Sequence, residues 1–319
     1  MKNILVVGCG QMAEDYAKVL VSLGLPFSVS GRGMEKVNAF SQKYPEAQVM
    51  GGGVSAYLAS REVPEYAIVA VNVPALAETT SLLVNAGVRH VLVEKPAGVS
   101  TAEIAEINAL AMEKGASVYV AYNRRFYASV DLAREIILKD GGVISAQFEF
   151  TEWVHVVEKV LVDPITLSRL VLANSTHVID LFVHLCGRPR TLHADVCGNP
   201  IPWHPAGSIF VGSGRTSRDI PFTYHANWQA PGRWALELLT ASHRLYFKPM
   251  EKLMVQQKGS VRIEEVEGDY SVDVNFKPGL LRQVEAFVYG KNREYLCAIS
   301  EHLMNFPAYE KIAGYDSLN

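Results

Sequence analysis

The chain has little of what would tie it to a membrane, a polyanion or an oxidising compartment. None of its apolar runs approaches the roughly 20 residues needed to cross a bilayer. Met1-Lys2-Asn3 leads straight into Ile4-Leu5-Val6-Val7, with no longer n-region and no cleavage-like site. Its 33 acidic and 30 basic residues leave a formal net charge of -3, so no basic field exists to hold a nucleic acid. Cys9, Cys186, Cys197 and Cys297 show neither a CxxC pair nor metal-ligand spacing. Internal repeats, low-complexity segments and Ser/Gly linkers are also missing. These absences predict a soluble, cytoplasmic protein with reduced thiols, no metal, no membrane and no nucleic-acid partner. At 319 residues the chain exceeds the usual single-domain size, and two domains are expected.

What is present divides in two. Up to residue 122, short apolar strands alternate with helical patterns: Ile4–Val7, Phe27–Ser30, Ala67–Val71, Val91–Val93 and Val118–Ala121 are strands, with helices such as Ala13–Leu23 and Leu76–Ala86 between them. Ser100-Thr101-Ala102-Glu103 reads as a capping box opening a further helix. This rhythm predicts an α/β domain over residues 1–122 with a parallel, Rossmann-type sheet. From residue 123 to 319 the texture changes to long alternating or β-branched runs: Val143–Val154, Thr191–Val196, Ser208–Val211, Phe222–Trp228, Ala235–Phe247 and Leu253–Gln257. Strands without intervening helices predict a large, mostly antiparallel open sheet in an α+β domain. One helix, Ser175–Cys186, interrupts it, and helical stretches at Leu280–Tyr289 and Tyr295–Met304 close the chain. Close packing around a shared cleft is expected. An exposed apolar sheet face would favour a homodimer or homotetramer.

Candidate chemistry collects at strand ends. Gly8-Cys9-Gly10-Gln11-Met12-Ala13 is a GxGxxA turn between the first strand and a helix, the arrangement that brings backbone amides to a pyrophosphate. NAD enzymes usually place an acid after the second strand to accept the ribose 2'-hydroxyl. Here the sequence is Ser30-Gly31-Arg32, with a hydroxyl and a guanidinium suited to a 2'-phosphate, so NADP is favoured over NAD. Three further strand ends, Asn72-Val73-Pro74, Glu94-Lys95-Pro96 and Tyr122-Asn123-Arg124-Arg125, should open on the same side of the sheet. Lys95 can donate to a substrate oxygen or share in proton transfer. One of Arg124 and Arg125 is suited to an anionic group, the other to a structural ion pair. In the second domain His177, Asp180 and His184 fall at i, i+3 and i+7 of a helix; His177 near its start is the better acid/base candidate and His184 a packing residue.

These landmarks give the chain a resemblance, over its whole length, to the glucose-fructose oxidoreductase, inositol dehydrogenase and MocA family, Val93-Glu94-Lys95-Pro96 being the specific one. The resemblance implies a Rossmann domain joined to an open-sheet substrate domain. It also implies that Lys95 is the catalytic lysine, that His177 is the acid/base histidine, and that Ser30-Gly31-Arg32 is the arrangement of NADP-using members. The sites implied are Gly8, Gly10, Gln11, Met12, Ser30, Arg32, Asn72, Pro74, Glu94 and Lys95 for the cofactor, and Lys95, Asn123, Arg124 and Asp180 for substrate. One departure stands out: many members carry an aspartate four residues before the histidine, where this chain has Ala173. The expected activity is hydride transfer between NADP and a secondary alcohol or ketone of a sugar, polyol or nucleotide sugar. A noncatalytic NAD(P)-binding regulator, or a reductase of a nonsugar imine or enol, remains the alternative.

Overall fold

Strands that are apolar at every position can be buried on both faces, which commits the first part of the chain to a parallel sheet covered by helices. The computed structural model describes residues 2–160, 163–199 and 201–315. The outer bounds expected for the two domains, Met1 and Asn319, lie outside the described residues. The chain forms two compact units, Met1–Asn123 with Asn275–Met304, and Arg124–Val274 with Asn305–Asn319. The first unit thus runs to within a residue of the division drawn from the sequence and takes back a segment near the carboxyl end.

In the first unit, β1 (Ile4–Val7), β2 (Phe27–Ser30), β3 (Gln48–Met50), β4 (Tyr66–Val69), β5 (His90–Val93) and β6 (Ser117–Val120) pair in parallel in the order β6-β5-β4-β1-β2-β3. A two-residue strand, Cys297–Ala298, adds antiparallel to β6. β1, β2 and β4 are buried at every residue. The strand order reverses between β1 and β4, and there the carboxyl ends of a doubly wound sheet leave a crevice. The helix Thr101–Lys114 starts as its sequence foretells, with Glu103 N–H donating to Ser100 Oγ at 3.3 Å. The returning arm of the box is displaced by one residue: Glu103 Oε2 accepts from Val99 N–H at 2.6 Å.

The second unit is built on β7 (Ser145–Glu149), β8 (Pro189–Cys197), β9 (Ile209–Thr216), β10 (Pro221–Asn227), β11 (Ala235–Leu239), β12 (His243–Phe247), β13 (Met254–Gln257) and β14 (Ile263–Glu265). Their order is β14-β13-β12-β11-β7-β10-β9-β8, antiparallel except where β7 meets β10. Alternation sets the two faces. Phe148, Phe222 and Tyr224 point inward, and the Phe148 ring lies tilted, 4.9 Å from that of Phe182 of the helix Thr176–Cys186. Outward stand Gln147, Thr223 and His225, flanked by Glu149 and Lys248 around a shallow depression. The exposed apolar sheet face expected from the sequence is therefore a polar one.

Two long runs read from the sequence as single strands are broken. Val143–Val154 stops pairing at Glu149, and the chain enters the helix Val154–Val160. Ala235–Phe247 is a hairpin whose turn is pinned by Thr240 Oγ1, which accepts from His243 N–H at 2.9 Å. The lone helix is not alone, since Ala128–Lys139 is also helical. The last helix lies at Ile299–Ala313, later than expected. Among the described residues no helix is long and apolar enough to cross a membrane, and no group of three or more His, Cys, Asp or Glu is placed to hold a metal.

Candidate functional site

The glycine turn is built by exclusion. Gly8 has φ +126°, and a Cβ on it would collide with the Ala70 carbonyl oxygen at the end of β4, so only glycine fits. Gly10 differs: a Cβ there would meet no atom within 4 Å. Gly10 is also the N-cap of the helix Gln11–Ser22 and gives it no side-chain cap. Free amides therefore face open space at the positive end of a helix, a setting that suits a phosphate. The residues present fit the pyrophosphate of a dinucleotide. Gln11 is exposed and donates to Asp15 Oδ1 at 3.1 Å, and Met12 Sδ lies 2.6 Å from Lys277 Nζ.

At the end of β2 the two expected phosphate ligands separate. Ser30 is fully buried and its Oγ has no hydrogen-bond partner, so it cannot reach a 2'-phosphate from inside the sheet. Arg32 is exposed and its Nη2 stands 3.4 Å from Asn72 Oδ1, beyond β4. An acid at position 31 would have to displace its neighbours, because a Cβ there would press on Cys9 Sγ and come within 2.8 Å of Val37 Cγ2. Pro74 sits in the short turn Val73–Ala75 that follows Asn72.

Glu94 and Lys95, adjacent after β5, point to different surroundings. Glu94 is buried and accepts from Tyr16 Oη at 2.7 Å, which makes it an interior partner of the first helix. Burial pushes its carboxyl pKa up, against the opposing pull of the Tyr16 hydrogen bond and of Lys95 and Lys277. Lys95 is half-buried. The peptide that follows it is cis, and Pro96 O lies 2.9 Å from His302 Nε2. Asn123 is also spoken for: its Nδ2 donates to Pro278 O at 2.8 Å and the residue is buried. With the Gln283 amide oxygen turned toward them, the Tyr122 and Asn123 amides donate to it at 3.2 Å. These bonds tie the returning segment to the end of β6 and hold Asn123 in place.

In the second unit, the helix Thr176–Cys186 is preceded by a wide π-type turn, Val171–Ser175, a feature frequent at functional sites. His177 is 8% exposed, with its ring 6.1 Å from that of Trp234. Asp180 receives two hydrogen bonds from Arg125, 2.8 Å from Nε and 2.6 Å from Nη2, and both residues are 1% exposed. Asp180 is thus the buried counter-ion of Arg125. His184 Nε2 accepts from Arg134 Nη2 at 2.8 Å, and burial among arginines holds its pKa well below the usual histidine value.

Sequence reasoning missed a carboxylate. Glu152, beyond the end of β7, is 2% exposed and accepts from Ser175 Oγ at 2.7 Å, from Asn174 Nδ2 at 3.1 Å and from Trp234 Nε1 at 3.2 Å. Burial raises its pKa, although these donors and Arg233, 3.6 Å away, oppose the shift. The side chain thus stands over the turn that carries Ala173. Nothing in its local sequence, Phe150-Thr151-Glu152-Trp153, marks it out, because its partners come from 22 to 82 residues away.

Comparison with known proteins follows the same division. Residues 2–122 match the model of an oxidoreductase family with an NAD-binding Rossmann fold. A trans-1,2-dihydrobenzene-1,2-diol dehydrogenase of Mus musculus is 30% identical over 153 residues, which cover 46% of this chain and 45% of that protein. The chain is therefore matched to less than half the length of this relative. Among solved structures, a UDP-N-acetylglucosamine 3-dehydrogenase from Acidithiobacillus ferrooxidans superposes with a TM-score of 0.76 at 14% identity, covering 98% of this chain and 96% of that one. A levoglucosan dehydrogenase in complex with NADH gives 0.79 at 15% identity, over 99% and 97%. These likenesses show that the fold is shared along the chain.

Proposed function

We propose, from the match of residues 2–122 to the Gfo/Idh/MocA oxidoreductase family, an NADP-preferring enzyme that moves a hydride between the nicotinamide and a secondary alcohol or ketone of a sugar, polyol or nucleotide-linked sugar. The observation that carries the reading is the set of strand ends in the first sheet: uncapped amides at Gly10, exposed Arg32 beside Asn72, and half-buried Lys95. When bound, NADP supplies the hydride acceptor or donor. The chain's own residues do the rest. The amides after Gly10 hold the pyrophosphate, and Arg32 pairs with the 2'-phosphate where position 31 offers no acid. Lys95 donates a hydrogen bond to the substrate oxygen and steadies its negative charge, and His177 takes the hydroxyl proton in oxidation and returns it in reduction. Relatives named for a diol, a nucleotide sugar and levoglucosan support a CH–OH substrate. The NADH complex of one of them makes NAD the alternative cofactor.

Ala173 supports a second reading, a noncatalytic NADP-binding regulator or a reductase of an imine or enol, because the family's usual aspartate is missing there. Self-association as a dimer or tetramer belongs to the main proposal, with the polar outer face of the eight-stranded sheet as the surface offered. A panel of sugars and nucleotide sugars, followed at the NADPH absorbance, tests the main reading. Turnover that falls at least a hundredfold in Lys95→Met with NADPH affinity kept is the expected result. NADPH binding with no turnover on any alcohol or ketone leaves the regulator.

A further inference from the structure

Arg124 and Arg125 are neighbours in one short turn, and their side chains meet opposite fates. Arg125 is neutralised by Asp180 through two hydrogen bonds. Arg124 has no such partner: its Nε is buried without a hydrogen bond, and among the described residues no carboxylate is paired with it. Its guanidinium carbon lies 4.6 Å from the centre of the Trp234 ring and 5.7 Å from that of Tyr127. Arg233 stands 4.7 Å from the same Trp234 ring. Two cations therefore share one indole.

One acid answers Arg233, and among the described residues none pairs with Arg124. Glu152 accepts from Ser175, Asn174 and Trp234 and forms an ion pair with Arg233 at 3.6 Å. Glu251, the other acid whose field reaches Arg124, is exposed and makes no ion pair with it. Burial pushes the Arg124 pKa down, yet a guanidinium keeps its charge in proteins. A partly buried cation with no counter-ion is costly to keep. Its planar fork matches a carboxylate or a phosphate, and the buried Trp234 indole holds the guanidinium in place. His177, whose ring is 6.1 Å from Trp234, borders this cluster.

We propose that Arg124, Trp234 and Arg233 form an anion-recognition site, and that the substrate is a sugar derivative bearing a carboxylate or phosphate group, a sugar acid or sugar phosphate rather than a neutral polyol. The substrate half of this inference rests on the oxidoreductase reading; the anion site does not. Arg124 grips the anionic group bidentately, and Arg233, more exposed, faces it from the solvent side.

Calorimetric titration of the full-length protein tests this with glucose, glucuronate, glucose 6-phosphate, malonate and inorganic phosphate. At least one anion in the panel should bind saturably, and the sugar carrying the preferred group should bind at least tenfold more tightly than glucose. The two acidic sugars tell carboxylate from phosphate. Arg124→Met keeps the apolar stem on Trp234 and should abolish the preference; Arg233→Met should weaken it, and thermal melts check that both variants fold. NADPH affinity should be the same in Arg124→Met as in the parent. No saturable binding of any anion, equal binding of glucose and both acidic sugars, or a preference that survives Arg124→Met overturns the proposal. A loss of NADPH affinity in that variant equal to the loss for the anion reassigns Arg124 to the cofactor and also overturns it. Turnover of the same sugars with NADPH is read separately. Turnover of neutral sugars without anion preference sinks the inference alone, whereas anion binding lost in Arg124→Met with no turnover of any sugar sinks the enzyme reading alone.

Discussion

The two units build their polar sites by opposite means. The first works with backbone: Gly8 and Gly10, the amides of a helix start, and side chains one or two positions beyond strands that are buried throughout. The second works with side chains drawn from distant parts of the chain. Arg124, Glu152, the segment 174–177 and the pair Arg233-Trp234 meet through contacts spanning 22 to 110 residues of sequence. A backbone site is intolerant of an added atom and indifferent to most side chains. A side-chain cluster is the reverse, because each member satisfies a neighbour whose charge or hydrogen bond is stranded when the member goes. Arg125 and Arg124 show both conditions of such a cluster, the first completed by Asp180 and the second left for a ligand to complete.

The largest effect should come from breaking the completed pair. Asp180→Ala strands the Arg125 guanidinium at 1% exposure, and removing one partner of a buried ion pair costs about 3–5 kcal/mol. Urea unfolding followed by circular dichroism measures it. Unchanged stability together with a lost substrate affinity would return Asp180 to the binding site and undo the contrast with Arg124.

Next comes Arg32. If it carries the 2'-phosphate alone, Arg32→Ala should weaken NADPH binding relative to NADH by about 1.5–3 kcal/mol, the worth of a hydrogen bond to a charged group. Fluorescence titration with both nucleotides decides. Equal losses for the two would make Arg32 a general contact and leave no basis for the NADP preference.

The two glycines sharpen the comparison inside the first unit. Gly8→Ala must relieve both a positive φ and a collision with backbone, so it should cost about 1–3 kcal/mol of stability. Gly10→Ala meets no atom and should leave the melting temperature nearly unchanged. Its methyl group fills the space above the helix amides, so NADPH affinity should fall about tenfold, or about 1.4 kcal/mol. The reverse pattern, a destabilised Gly10→Ala that binds normally, would mean that the space belongs to packing and not to a phosphate.

This division also explains what was legible in the sequence. β1, β2 and the helix Leu280–Tyr289 fall where the pattern puts them, because their signals are local: apolar runs, a periodic stripe and glycine stops. β3 escaped because three residues beginning with an exposed Gln48 carry too little pattern. Val143–Val154 and Ala235–Phe247 looked continuous because hydrophobicity does not reveal where a strand loses its neighbour or turns on a threonine hydroxyl. Among site residues, position was easier to read than orientation. Ser30, Glu94 and Asn123 stand at the predicted ends of strands and Asp180 within the predicted helix, but their side chains go to the interior, to Tyr16, to Pro278 and to Arg125. Glu152 and Trp234 could not be found at all without the fold.

The smallest effect concerns Glu94, the buried carboxyl beside the proposed catalytic lysine. Its folded pKa is raised above the unfolded value of about 4.3, with burial the main cause. A raised carboxyl favours the protonated form in the fold, so its contribution to stability is fully present below the unfolded pKa and is lost as pH rises through the folded one. Glu94→Gln cannot ionise, yet its side-chain oxygen can still accept from Tyr16 Oη. The variant should therefore gain stability relative to the parent as pH rises from 4 toward 8, while other buried carboxyls such as Glu152 contribute equally to both and cancel. Thermal denaturation at a series of pH values reads the difference. Since the carboxyl faces Tyr16 and not the crevice, NADPH affinity should stay the same across the substitution. A stability difference that does not vary with pH would mean that burial does not hold the proton on Glu94. A drop in NADPH affinity would place the carboxylate back among the cofactor contacts and make the Glu94-Lys95 pair, rather than Lys95 alone, the functional unit at the end of β5.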